Sequence, residues 1–302
     1  MPGHETAFFE DPYYDETNLN ALFGDLRAAP SGAVVGIKCP NYLCKPECPP
    51  RLAKHLPNSR LIAILRHPVD RAVSQYYHHI RSGRFPMLAA DAAFSRYMAG
   101  DFNPPYARQV ILEFGLYAQA VANYLRVFPR EQLLILTDLD LRGGSPKVFA
   151  RACQFLGIDD TFLPMSISVP RNQGVYSIPF LSFIRSVNRY GVVFDESTGL
   201  ERMRPGPIGW SARRLGLLAS RASAATRLFL RRQEPAVSQK TRAALLEFYL
   251  PDIVKLEQIL KIDLSDWKAS LPRAADHSPE RSTREVNIGD ETGQGQGAES
   301  NY

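Results

Sequence analysis

An arginine at the end of an apolar run, followed eight residues later by a serine, forms a pattern able to bind a phosphate group. The stretch LIAILRHPVDRAVSQYYHH (61–79) places Arg66 directly after LIAIL and Ser74 within the amphipathic segment that follows. A guanidinium and a hydroxyl near the N-terminus of a helix are hydrogen-bond donors that suit phosphate oxygens. The alternative is a structural role, in which Arg66 forms an ion pair with Asp70 or Asp138.

A strand and a helix are needed to position these two residues, and the surrounding sequence predicts both. Runs of strand length and apolar character are AVVGIK (33–38), LIAIL (61–65) and LLILT (133–137), as expected of buried parallel strands. Apolar residues recur at helical spacing in residues 18–29, 68–81 and 115–128, with Pro68 suited to the first helical position. The alternation predicts an α/β domain with helices on both faces of the sheet, and ligands bind such sheets at the carboxyl ends of the strands.

Further along the chain, the pattern is helical. Ser145 is suited to cap a helix that Gly157 ends. From residue 178 onward we expect helices, with Pro251 breaking or kinking the helix of residues 241–260.

Composition and charge narrow the class of protein. Of 302 residues, 45% are hydrophobic and 22% are charged, which indicates a globular chain with a sizeable core. Residues 269–302 hold almost no large apolar side chains, so we expect a folded domain over 1–268 and a disordered tail.

The formal charge of +5 suits anionic ligands, nucleic acid or membrane surfaces alike. No apolar run approaches the roughly 18 residues of a membrane span, and four cysteines without an Asn-x-Ser/Thr acceptor favour a cytoplasmic protein.

Three closely spaced cysteines raise the question of a metal. Cys39, Cys44 and Cys48, with His55, offer ligand types that zinc prefers, but no paired C-x-x-C is present and prolines crowd the segment. We therefore interpret it as a proline-stiffened loop and expect no metal.

An arginine-rich stretch at 201–232 has two interpretations. Its leucines and alanines recur at helical spacing, so it is either a packed helix with a solvated basic face, which we favour, or a basic amphipathic helix that contacts a membrane surface or a polyanion. No base-reading motif accompanies it, and we expect no nucleic-acid partner.

Residues 61–79 resemble the 3′-phosphate-binding segment of sulfotransferases that use 3′-phosphoadenosine 5′-phosphosulfate (PAPS), in which a strand, Arg, Pro, Arg and Ser follow one another. The resemblance is closest to the heparan-sulfate type and its bacterial relatives, and it extends over roughly residues 4–267. It includes HETAFFED (4–11), similar to Lys-Glu-x-x-Phe-Phe, GIKCPNYL (36–43), similar to Glu-Lys-Ser-x-x-Tyr, the helix–strand segment 115–136 and the closing helix 252–267.

The resemblance implies a fold and a set of residue roles. The fold is a three-layer parallel sheet with flanking helices, like that of P-loop NTPases. Arg66 and Ser74 would bind the 3′-phosphate of PAPS, and Arg171 in VPRNQGVYS would reach it from a closing loop. Glu5 would be the general base, and Lys38 would neutralise charge on the transferring sulfonate. The structural alternatives are a frayed terminus for Glu5, a strand-end lysine in solvent for Lys38 and a surface loop for Arg171.

The implied reaction moves the sulfo group of PAPS onto a hydroxyl or amine of an acceptor, expected to be a carbohydrate. The acceptor cleft would be built from the loops at 83–110 and 190–215.

The sequence differs from the family pattern at its N-terminal end. Family members begin with a strand and a Lys-x-Gly-Thr loop that binds the 5′-phosphosulfate, whereas Glu5 stands almost at the start here and SGAVVGIK (31–38) does not supply that loop. We therefore expect a fold without its first strand in an N-terminally truncated sequence. The alternative is a catalytically impaired relative that binds the nucleotide or acts as a scaffold.

Overall fold

The computed structural model describes most of the first 269 residues, and every structural statement below concerns the described residues alone. These are 6–20, 23–24, 30–142, 144–161, 164, 178–194, 201–207, 209–212, 214–216 and 237–269. Glu5, Arg171 and nearly all of the predicted tail lie outside them. Within them, no helix has the length and apolar character needed to cross a bilayer.

Strands and helices alternate through the first half of the described chain. The strands are β1 (Leu61–Leu65), β2 (Leu133–Thr137), β3 (Val192–Phe194) and β4 (Glu201–Met203). The helices are α1 (Cys48–His55), α2 (Pro68–Arg81), α3 (Ala90–Met98), α4 (Tyr117–Leu125), α5 (Asp138–Arg142), α6 (Ser145–Leu156), α7 (Ile178–Gly191), α8 (Gln239–Leu260) and α9 (Ser265–Lys268). A π-helical turn spans Arg108–Leu112, and 3-10 turns span Glu16–Asn18, Tyr42–Cys44, Glu113–Gly115 and Arg130–Gln132. This order confirms the predicted α/β class.

The strands β1 and β2 pair in parallel, as their sequences predict. Their register runs from Leu61 opposite Leu133 to Leu65 opposite Thr137. Because parallel strands end at the same edge of a sheet, the residues that follow them, Arg66 and Asp138, lie on one side of the molecule.

The third predicted strand, at residues 33–38, does not form. Only Lys38 makes an isolated bridge, in which its carbonyl oxygen accepts a hydrogen bond from the amide of Thr6 at 3.1 Å. Val34 is 59% exposed and Val35 is also exposed. An apolar run becomes a strand only where a neighbouring strand takes its backbone hydrogen bonds, and among the described residues β1 pairs with β2 alone.

The expectation that the chain is helical from residue 178 onward is wrong in one place. After α7, β3 pairs with β4 in an antiparallel ladder from Val192 opposite Met203 to Phe194 opposite Glu201. The run GVVF, with its two β-branched residues, explains the local preference for a strand.

Pro251 does not break its helix. The helix α8 continues through it to Leu260. One face of α8 is buried at Leu245, Tyr249, Ile253, Leu256 and Leu260. We attribute the continuity to this packing, because burial of these large apolar side chains contributes roughly 1.5–3 kcal/mol each. Their sum exceeds the roughly 3 kcal/mol that an interior proline costs.

The boundaries of α6 differ from the prediction by one residue. The helix begins at Ser145 with Gly144 as its N-cap, so Ser145 is the first helical residue and not the cap. Its end is as predicted, because Gly157 adopts the left-handed conformation at φ 70°.

The arginine-rich stretch is described only in part. Its first three residues form β4 and not a helix. Farther along, the guanidinium of Arg214 lies 4.2 Å from the ring centre of the exposed Trp210. Residues 217–232, which hold most of the predicted basic helix, lie outside the described residues.

Candidate functional site

The junction between β1 and α2 carries two of the predicted site residues. Arg66 follows β1 directly and is exposed, and Ser74 lies half-buried in the second turn of α2. Pro68 is the first residue of α2, as predicted, and His67 is the N-cap, with its Nδ1 accepting a hydrogen bond from the amide of Val69 at 3.2 Å. The junction therefore presents a guanidinium and a hydroxyl at the start of a helix.

A second contact of His67 fixes this junction to the end of the folded chain. Its Nε2 donates to the carbonyl oxygen of Trp267 at 3.2 Å, and the indole Nε1 of Trp267 donates to Asp138 Oδ1 at 2.9 Å. Burial lowers the pKa of His67, so the imidazole is held neutral with its proton on Nε2. This role of His67 was not predicted, because histidine is not among the residue types that commonly cap helices. The one local signal is Pro68, which marks the first helical position.

Neither of the two carboxylates considered as structural partners of Arg66 forms an ion pair with it, and both have other contacts. Asp70 forms an ion pair with Arg242, and Asp138 accepts from the Trp267 indole. In the described part of the chain, no carboxylate lies within ion-pair distance of the Arg66 guanidinium. The backbone of Arg66 is held instead, since its carbonyl oxygen accepts from the hydroxyl of Tyr117 at 3.0 Å.

The second arginine of this segment has a structural role. The guanidinium of Arg71 donates to the carbonyl oxygens of Val110, at 3.0 Å, and Ile111. The hydroxyl of the buried Tyr249 donates to the carbonyl oxygen of Leu112 at 2.9 Å. These contacts give side-chain donors to three carbonyl groups of the π-helical turn.

The remaining predicted residues are only partly described. Lys38 is exposed and lies on the segment before α1, where its backbone contacts Thr6. Glu5 and Arg171 lie outside the described residues. The structure therefore describes three of the five predicted side chains, and it places Arg66 and Ser74 on one strand–helix unit.

The clustered cysteines are partly or fully buried thiols that donate hydrogen bonds. Cys39 donates to Glu10 Oε1 at 2.8 Å, and burial raises its pKa to about 12. Cys44 donates to the carbonyl oxygen of Phe114 at 3.3 Å, and burial raises its pKa to about 11. His55 contacts the hydroxyl of Tyr14 at 2.8 Å through its Nε2. Over the described ranges, no group of three or more His, Cys, Asp or Glu side chains is arranged to hold a metal ion.

Comparison with known families and curated proteins identifies a region of similarity around this junction. Residues 47–168 match the sulfotransferase domain. Mouse heparan sulfate glucosamine 3-O-sulfotransferase 6 is 29% identical over 157 residues, which is 52% of this chain and 44% of that protein. The human bifunctional heparan sulfate N-deacetylase/N-sulfotransferase 3 is 34% identical over 124 residues, or 40% of this chain and 14% of that protein. The chain thus spans less than half the length of these relatives.

A solved structure extends the similarity of fold beyond that region. The sulfotransferase from Alicyclobacillus acidocaldarius aligns with a TM-score of 0.52 over 89% of this chain and 82% of that one, at 21% identity. At this identity the alignment concerns the fold, which is the predicted sulfotransferase type with a parallel sheet.

Proposed function

Because residues 47–168 match the sulfotransferase domain and the relatives described above are sulfotransferases by name, we propose that the chain transfers the sulfo group of PAPS to a hydroxyl or amine of a carbohydrate acceptor. The observation that carries the proposal is the exposed guanidinium of Arg66 at the carboxyl end of β1. This cation has no carboxylate partner among the described residues and lies beside the N-terminus of α2. Ligands of parallel α/β sheets bind at this position.

The residues at the junction fit the 3′-phosphate of PAPS. Arg66 supplies a planar pair of N–H donors, and Ser74 supplies a hydroxyl on the same strand–helix unit. The hydrogen bonds of His67 to Val69 and Trp267 hold the junction in place before the ligand binds, which lowers the entropic cost of binding.

Bound PAPS supplies an activated sulfo group, and the remaining roles fall to residues that surround the transfer. In this proposal, Glu5 accepts the proton of the acceptor hydroxyl or amine, and Lys38 offsets negative charge on the sulfonate oxygens. Arg171 is assigned as a further ligand of the 3′-phosphate. Such a reaction depends on positioning and positive charge more than on covalent catalysis by the protein.

The carbohydrate acceptor is inferred from the relatives. Both of the curated proteins described above are heparan sulfate sulfotransferases by name. The acceptor of this chain is assigned to the same chemical class, a saccharide with free hydroxyl or amino groups.

A transfer assay tests the proposal. The purified chain is incubated with PAPS carrying ³⁵S and with unsulfated or partly sulfated glycosaminoglycan chains, and label in the polysaccharide is measured. We expect transfer by the wild type and its loss in Arg66→Ala. Arg126→Ala is the matched control, since Arg126 is exposed and contacts only Asn123 among the described side chains. Absence of transfer to every hydroxyl or amine acceptor tested, by a chain that binds the nucleotide, would refute the activity.

A further inference from the structure

A cavity of about 460 Å³ lies at the end of α2 that is remote from Arg66. It is lined by Gly83, Arg84, Phe85, Pro86, Asn103, Pro104, Tyr106, Arg185, Arg189, Val193 and Arg204. Its walls thus come from the segment after α2, the loop after α3, the helix α7 and the β3–β4 region. A volume of this size is typical of small-ligand sites.

The charge of the lining is uniform. Four of the lining residues are arginines, and none of the lining residues named above is acidic. No carboxylate of the described chain lies within ion-pair distance of Arg185, Arg189 or Arg204. The pKa of Arg185 is lowered by burial and by the charge of Arg189. The guanidinium groups of Arg185, Arg189 and Arg204 repel one another, and a bound anion relieves this repulsion.

Arg185 and Arg189 both contact the turn that follows α2. Arg185 Nε donates to the carbonyl oxygen of Phe85 at 3.1 Å. Gly83 has φ +85°, and a Cβ there would lie 2.7 Å from Arg189 Cγ, so the absence of a side chain lets the Arg189 stem pack against this turn. The side-chain amide of Asn188 donates to the carbonyl oxygen of Arg81 at 2.7 Å, which ties α7 to the end of α2.

The cavity is separate from the β1–α2 junction. Helix α2 contains 14 residues, and at 1.5 Å per residue its two ends lie about 20 Å apart. A single anionic group therefore cannot bind at both ends of the helix. An extended ligand with two anionic groups could place one at each end.

We propose that this cavity is a second anion site, in which Arg185, Arg189 and Arg204 bind the oxygens of a sulfate or phosphate ester. Guanidinium forks match the oxygens of such groups, and Tyr106 adds a phenol to the lining. The segments that line the cavity lie mostly within the two loops assigned to the acceptor cleft, 83–110 and 190–215. The source of the ester is therefore a sulfated acceptor saccharide. That assignment to the acceptor rests on the proposed function, whereas the anion site itself does not.

Binding measurements test the site without any transfer activity. Calorimetry is performed with a fully sulfated uronic-acid tetrasaccharide, its desulfated counterpart, inorganic sulfate and adenosine 3′,5′-bisphosphate. The test variant is Arg189→Gln/Arg204→Gln, because both side chains are exposed and their removal spares the buried contact of Arg185. Arg126→Gln removes an exposed arginine elsewhere, and the double variant Arg126→Gln/Lys240→Gln matches the change in net charge at a second exposed cation.

We expect the sulfated tetrasaccharide to bind the wild type at least tenfold more tightly than its desulfated counterpart. The Arg189→Gln/Arg204→Gln variant should bind it at least tenfold more weakly, as expected for the loss of charge-assisted hydrogen bonds. The control variants should stay within about twofold of the wild type, and thermal unfolding should confirm that all variants are folded. Equal losses in test and control variants, or no loss in either, would overturn the site. A loss of adenosine 3′,5′-bisphosphate binding in the test variant would overturn the separation of this site from the junction.

Discussion

His67 and Trp267 are separated by 200 residues in sequence, and the imidazole Nε2 of the first donates to the carbonyl oxygen of the second at 3.2 Å. Their rings also meet edge to face, with centres 5.9 Å apart. Because His67 is also the N-cap of α2, one side chain joins the end of β1, the start of α2 and the last helix of the described chain. The position of Arg66 therefore depends on a contact with the C-terminal end of the domain.

Replacing His67 should destabilise the fold and weaken nucleotide binding together. We expect His67→Ala to lower the free energy of unfolding by about 2–3 kcal/mol, through loss of the cap and of the bond to Trp267. His67→Asn should lose less, because its side chain can still accept from the amide of Val69. Urea unfolding measures the loss of stability in both variants. Equal stability of the wild type and His67→Ala would contradict the role of His67 in joining the junction to Trp267.

The elements that the sequence predicted best are those with purely local causes. The strands at 61–65 and 133–137 and the start of α2 at Pro68 follow from apolar runs and from the fixed φ of proline. The class of the fold followed from their alternation.

The features that the sequence did not predict depend on distant partners. The run at 33–38 has strand-like residues, but its backbone has no neighbouring strand among the described residues. Pro251 is a helix breaker by itself, yet the buried face of α8 keeps the helix continuous. The bond between His67 and Trp267 and the engagement of Asp70 by Arg242 join segments far apart in sequence, so no local pattern reveals them.

Of the two arginines within residues 61–79, we expect Arg66 to bind the ligand and Arg71 to stabilise the fold. Arg66→Ala should weaken the binding of adenosine 3′,5′-bisphosphate about 10- to 100-fold, with little change in stability, because its exposed guanidinium has no carboxylate partner in the described chain. Ser74→Ala should cost less, about 3- to 10-fold, since a neutral hydroxyl forms a weaker bond.

Arg71→Met should show the opposite behaviour. It leaves the carbonyl oxygens of Val110 and Ile111 without their donor, and we expect a loss of about 2–3 kcal/mol in stability with nucleotide affinity within about twofold of the wild type. Calorimetry and urea unfolding on the same preparations separate the two effects. Stronger loss of binding in folded Arg71→Met than in Arg66→Ala would reverse the assignment.

A side chain at position 115 should destabilise the fold. A Cβ at this position would lie 2.8 Å from Cε1 of Tyr249, whose hydroxyl is bonded to the backbone of Leu112. We expect Gly115→Ala to destabilise the fold by about 1–3 kcal/mol, because the buried ring has to move and its hydrogen bond lengthens. Gly36→Ala is the control, since a Cβ there meets nothing within 4 Å. Chemical denaturation should show a lower midpoint for the first variant alone, and equal midpoints would contradict this packing.

Acid should destabilise the fold through its buried histidines. His79 is 2% exposed, stacks on Phe85 at 4.6 Å between ring centres and contacts the side-chain amide of Gln75 at 3.1 Å. Burial, together with the nearby charges of Arg84, His78 and Arg71, lowers the pKa of His79 to about 3 from an ordinary value of 6.5. In the unfolded chain His79 is therefore protonated below about pH 6.5, whereas in the folded chain it is protonated only below about pH 3. Stability is complete above the higher value and falls as the pH drops below it.

We expect the free energy of unfolding to be about 1–2 kcal/mol lower at pH 5 than at pH 7.5, a window that lies above the titration of most carboxylates. The lowered pKa of His67 adds to the loss in the same direction. His79→Phe preserves a stacked ring without a titrating group and should remove a large part of the slope. His78→Gln removes only one of the charges that lower the pKa of His79 and should change the slope less. Urea unfolding of the three proteins at several pH values measures the slopes. A slope in His79→Phe equal to that of the wild type would show that the acid sensitivity arises elsewhere.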